Sequence, residues 1–103
     1  VRGLLTIIPV SGAVSSKELA APPALKALQA GVGGYIQLVP YFLCYEGEPC
    51  IAFCDEEGKL NGLPVNERAT ALWHMLEPRF IRQDVLVGPI VIITGDQELM
   101  RAL

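Results

Sequence analysis

Three sets of residues in this chain are of types that do chemistry: Cys44, Cys50 and Cys54, the single His74, and the run from Asp55 to Ala69. The cysteines stand as C-x5-C-x3-C. An odd number of them does not make a secreted disulfide framework, and a structural metal site would need a fourth ligand, for which only His74 is present. Packed free thiols are expected, with a Cys44–Cys50 contact across a hairpin centred on Gly47 as the alternative. His74 would have to activate a cysteine or serine to support nucleophilic catalysis. It follows Trp73 beside an apolar helical stripe, which reads as a bystander. Asp55, Glu56 and Glu57 are consecutive in a turn, whereas acid–base work needs carboxyls opposed across a cleft. Calcium would need spaced oxygen ligands, which this run lacks.

The stretch Asp55 to Ala69 remains. It packs two turns, both signs of charge and a helix N-terminus into a short span. If it folds back, Lys59, Asn66 and Arg68, with Glu57 in the turn, offer a candidate ligand site beside the free N–H groups of that helix. Such a site suits a carboxylate or phosphate. The plainer reading is that these residues satisfy turns and a cap. No catalytic residue, metal or cofactor is assigned.

These residues need elements to position them. Leu4 to Val10 reads as a β-branched strand, and Ser11 to Ser16 as a loop. Lys17 to Ala30 reads as helical with a break at Pro22-Pro23, its better part running from Pro23 to Ala30 with Gly31 as the cap. Tyr35 to Tyr45 alternates like a half-buried strand, with Pro40 marking an edge or bulge. Glu46-Gly47-Glu48 is a turn, and Cys50 to Cys54 returns as a strand. A helix over Asn66 to Leu76 takes Asn66 as N-cap and places Ala69, Leu72, Trp73 and Leu76 on its core face. Val85 to Thr94 is the most apolar run, implying burial on both faces, with Gly88-Pro89 as a bend. Asp96 caps a short C-terminal helix. The resulting β-α-β-β-α-β order predicts a single α+β domain over 1–103, with a small mixed sheet of about four strands and two packed helices.

Composition narrows the function classes. The 103 residues carry a net charge of −3, with 51% hydrophobic and 18% charged residues and a mean hydropathy of +0.40. That excludes a disordered tail and gives no footing for a phosphate-backbone binder, so nucleic acid is not an expected partner. The first 45 residues hold only Arg2, Lys17, Glu18 and Lys26 as charged groups. A small monomer must dress much of its surface with polar groups, so this half predicts a homo-oligomer that buries part of it. Pro9 interrupts an opening that otherwise resembles a secretory signal, and no continuous apolar segment suits a membrane span. A cytoplasmic protein with no membrane partner is expected.

Three ordered blocks carry a resemblance: Gly33-Gly34-Tyr35-Ile36-Gln37-Leu38-Val39-Pro40, then Asp55 through Ala69, then Asp84-Val85-Leu86-Val87-Gly88-Pro89-Ile90-Val91-Ile92. Together they resemble a small domain family of unknown function found largely in phages, prophages and plasmids. Its pattern runs roughly GGYIE-h-VP, NEEGKL-x-GLP-x-N-x-RA and D-h-h-VGP-h-h-h, with h apolar. This chain departs at Gln37, where Glu is usual, and at Asp55, where Asn is common. The resemblance implies an accessory protein of a mobile element and brings no catalytic residue. The leading expectation is a non-enzymatic binding or interaction protein, oligomeric, with a host protein as a further partner. The alternatives are a binder of a small anionic ligand, such as a nucleotide or signalling molecule, and an enzyme of unrecognised type.

Overall fold

A computed structural model describes residues 2–103. The strands are β1 Gly3–Ile8, β2 Ser15–Leu19, β3 Ile36–Leu38, β4 Cys44–Tyr45, β5 Glu48–Asp55 and β6 Ile90–Gly95. The helices are α1 Leu25–Val32, α2 Glu67–Leu76 and α3 Gln97–Arg101. The α+β class is as expected, but the sheet is neither mixed nor four-stranded. Its main order is β2-β1-β6-β5-β3, β4 pairs with β5, and each of these pairings is antiparallel.

The extra strand is β2. Its Ser-Ser-Lys-Glu-Leu sequence has no apolar alternation and reads as the start of a helix, yet its backbone pairs with β1 from Gly3↔Leu19 to Ile7↔Ser15. As an edge strand it needs little burial, and Lys17 and Glu18 suit a solvated edge. The predicted strand from Tyr35 to Tyr45 is divided because Pro40 has no N–H to donate and Tyr41 is left-handed, at φ 61°. Its two ends pair separately with β5. Helix α1 runs past Gly31 and ends at Gly33, which is left-handed at φ 83° and donates its N–H to the Gln29 carbonyl. Gly31 is needed for a close approach instead, since a Cβ there would lie 2.5 Å from Val91 Cγ2.

Strand β6 is the centre of the core. Ile90, Val91, Ile92 and Ile93 are all fully buried, Ile90 and Ile92 toward one face and Val91 and Ile93 toward the other. On the first face Trp73 and Ala69 of α2 pack with Ile8, Ala52, Val39 and Phe42. On the second, Leu28 and Val32 of α1 pack with Leu5, and Leu99 of α3 closes the end. The earlier part of the predicted run, Val85 to Val87, lies outside the main sheet. Val87 bridges to Val65, and Asn66 donates its N–H to the Leu86 carbonyl at 2.8 Å. Thr70 Oγ1 accepts from the Leu86 N–H at 2.9 Å, filling a partner's place that a strand would otherwise take. Among the described residues no helix is long and apolar enough to cross a membrane.

Candidate functional site

The Asp55–Ala69 stretch is built by local hydrogen bonds. Asp55 Oδ1 accepts the Glu57 N–H at 2.8 Å, and the Leu63 N–H closes onto the Gly58 carbonyl at 3.0 Å. Gly58 itself is buried tightly against Val87. The four candidate ligand residues do not converge, because separate parts of the fold engage them. Glu57 stays exposed in its turn, and Lys59 pairs with Asp84. Asn66 is fully buried as the N-cap of α2, accepting from the Ala69 N–H at 3.1 Å. Its amide donates to the Ile8 carbonyl at 2.8 Å and the Gly88 carbonyl at 2.9 Å, using both hydrogens. Arg68 reaches the loop after β1, donating to the carbonyls of Pro9 and Gly12. Most of these donors are therefore engaged by the chain's own carbonyls and carboxylate.

Lys59 instead lines a cleft of about 140 Å³ between the end of β3, the turn after β5 and the segment Asp84–Val87. Three carboxylates, of Asp55, Glu56 and Asp84, stand around it against one ammonium. That balance disfavours an anion, because like charges repel it and Lys59 is already paired. Cys54 also lines the cleft, and burial, then the Asp55 carboxylate, push its thiol above the ordinary range, with Lys59 opposing. A protonated thiol is a poor nucleophile. His74 stacks beside Trp73 and donates from Nε2 to the Asp84 carbonyl at 2.8 Å, a structural use of the ring.

The remaining cysteines are structural as well. The turn between β4 and β5 has two residues, Glu46 and Gly47, which sets Cys44 opposite Pro49 instead of Cys50. Cys50 donates from Sγ to the Phe42 carbonyl at 3.4 Å, and all three thiols are free. Burial, with Cys44 nearby, pushes the Cys50 thiol up to about 12. Among the described residues no group of three or more His, Cys, Asp or Glu is placed to hold a metal ion.

Sequence reasoning missed a surface assembled from two distant loops. Trp73 Nε1 donates to the Pro40 carbonyl at 2.7 Å and fixes the loop before β4 against α2. Helix α2 ends at Leu76, ahead of Pro78, and the short 3-10 turn Pro78–Phe80 stacks Phe80 on Trp73 with centroids 4.3 Å apart. Arg79 then lays its guanidinium 4.3 Å over the Tyr41 ring while its Nε lies 3.4 Å from a Glu77 carboxylate oxygen. Leu43 and Ile81, next along each loop, are 66% and 50% exposed. No spacing rule links residues 41 and 79; only the prolines flanking each loop hint that the chain turns there.

The family described as Domain of unknown function (DUF3846) matches residues 3–101. This chain belongs to that family. No curated protein and no solved structure matches it. In this DUF3846 chain the three blocks singled out in the sequence meet in space: Gln37–Pro40, Asp55 to Lys59 and Asp84–Val87 each contribute to the walls of the cleft. The DUF3846 description specifies no activity, which leaves the surfaces themselves to indicate function.

Proposed function

We propose that this domain is a non-enzymatic interaction module that self-associates through the aromatic–arginine surface, in the accessory role for a mobile element that the resemblance implies. The observation carrying this reading is the Arg79 guanidinium clamped over the exposed Tyr41 ring, with Leu43 and Ile81 bare beside it. Tyr, Phe and Arg are the residue types that concentrate binding energy at protein interfaces. Here the aromatic rings and the guanidinium are stacked before any partner arrives, so docking costs little further side-chain entropy. Glu77 balances Arg79, so two copies of the patch do not repel.

The charge-poor first half supports the same reading. Tyr41 and Leu43, its contribution to this surface, both stand exposed. An interface of about 800 Å² per copy would cover roughly an eighth of the chain's 6275 Å² surface. Light scattering at micromolar concentration tests the proposal. A mass twice that of the 11.1 kDa chain supports it, and a clean monomer overturns it.

A further inference from the structure

The sheet face that carries Ile8, Ile90 and Ile92 is covered by α2 at one end and stays open toward β2, over Leu4, Ser16 and Glu18. Pairing register sets Glu18, Leu4, Thr94 and Cys50 in one row across β2, β1, β6 and β5, and Ser16, Thr6, Ile92 and Ala52 in the next. Trp73 and Ala69 of α2 pack with Ile92, Ala52 and Ile8, while Leu4 remains 40% exposed and Glu18 and Ser16 are open to solvent. Two adjoining depressions share Leu4, Thr94 and Glu48, the larger of about 720 Å³. The exposed floor is Leu4 with Val14 beside it, above the buried Thr94 and Thr6, and the Thr6 hydroxyl is taken up by Ser16 at 2.9 Å. The walls carry three carboxylates, Glu18 on β2 and Glu46 and Glu48 on the β4–β5 hairpin, against one cation, Arg2, at the rim of the larger depression.

We propose that this trough docks a basic amphipathic helix of another protein. Strands β2 and β5 stand three strand spacings apart, about 14 Å. An α-helix with its side chains is about 10–12 Å across and fits between them. Its apolar stripe meets the exposed Leu4 and Val14, and Lys or Arg on its flanks reach Glu18 on one side and Glu46 and Glu48 on the other. The covered end of the same face already carries a helix, α2. A second copy of this chain does not suit the trough, because a twofold contact would set six glutamates together with only two arginines, Arg2 of each copy, to offset them. Nor does α1 supply the complement, since its only charged residue is Lys26. Phosphate backbones are repelled by the same walls.

The test uses a designed peptide of about 14 residues with Leu at i, i+3, i+4 and i+7 and Lys on the flanks. A control peptide carries Glu for every Lys. Binding is read by fluorescence anisotropy and amide NMR on the Leu43→Glu chain, so that self-association plays no part. The Lys peptide is expected to bind saturably, to shift the amides of Leu4, Thr6, Ser16 and Thr94, and to weaken as salt is raised. Glu18→Lys with Glu48→Lys is expected to weaken it about tenfold or more. The milder Glu18→Gln with Glu48→Gln should lower the salt dependence while leaving thermal unfolding in place. Absence of saturable binding, equal binding of both peptides, or no loss in the charge variants would overturn the proposal.

Discussion

Replacing Asn66 with Ala removes three hydrogen bonds from one fully buried side chain. Losing the N-cap of α2 costs about 1 kcal/mol. The carbonyls of Ile8 and Gly88 then lose their amide donor inside the fold, at about 1–3 kcal/mol each, so the total is about 3–7 kcal/mol. For a domain near this size 1 kcal/mol shifts Tm by about 4–8 °C, so a fall of about 12 °C or more is expected. Asn66→Asp separates the two contributions. It keeps an acceptor for the Ala69 N–H but turns a carboxylate oxygen toward two carbonyls, so at pH 7 it should be no more stable than Asn66→Ala. Protonation relieves that repulsion, so the Asp variant should recover as pH is lowered. Urea and thermal unfolding followed by circular dichroism measure both. A loss under about 1 kcal/mol for the Ala variant, or wild-type stability for the Asp variant at pH 7, would refute the reasoning.

Local geometry sets three further outcomes. Glu46 and Gly47 both have positive φ, 51° and 80°, as in the turn type that favours Asn-Gly, so Glu46→Asn should raise stability by about 0.5–1 kcal/mol in urea melts. The Cys50 thiol is pushed up from 9.0 to about 12 in the fold, so the unfolded chain loses its proton first as pH rises. Stability should therefore be intact below pH 9 and fall between about 9 and 12, and Cys50→Ala should flatten that limb of the alkaline denaturation curve. Asp96 is held below the usual carboxylate range by the N–H groups of Leu99 and Arg2, so its stabilisation is present above 3.8 and lost as pH falls below it. Asp96→Ala should lower Tm at neutral pH and reduce the acid sensitivity of melting.

Where a residue's role depends on near neighbours in sequence, it was legible. Asn66 followed by Glu67 marks the start of α2, Asp96 marks α3, and the charge-free Ile90–Thr94 run declares a strand buried on both faces. Where the role is set by a distant backbone, it was not. Ser15–Leu19 has no apolar period and becomes a strand only because β1 offers a free edge, so pairing overrides its local preference. The hairpin register slipped by one pairing because a two-residue turn, not a turn centred on Gly47, joins β4 to β5. The same limit applies to function. Lys59, Asn66 and Arg68 looked like converging donors, yet the carbonyls of Ile8, Pro9, Gly12 and Gly88 and the Asp84 carboxylate that engage them all lie on other segments. The stacking of Arg79 on Tyr41 joins two loops whose sequences show only their prolines.

Sedimentation equilibrium of three chains tests the self-association surface most directly: wild type, Leu43→Glu and the control Leu60→Glu. Leu60 is the more exposed of the two, at 83%, but lies in the turns after β5 and is no member of the Tyr41–Arg79–Phe80 stack. A dimer is expected for wild type and for Leu60→Glu, and a monomer for Leu43→Glu that keeps the wild-type circular dichroism spectrum and a cooperative melt. A monomeric wild type, or equal dissociation by both substitutions, would contradict self-association through this surface.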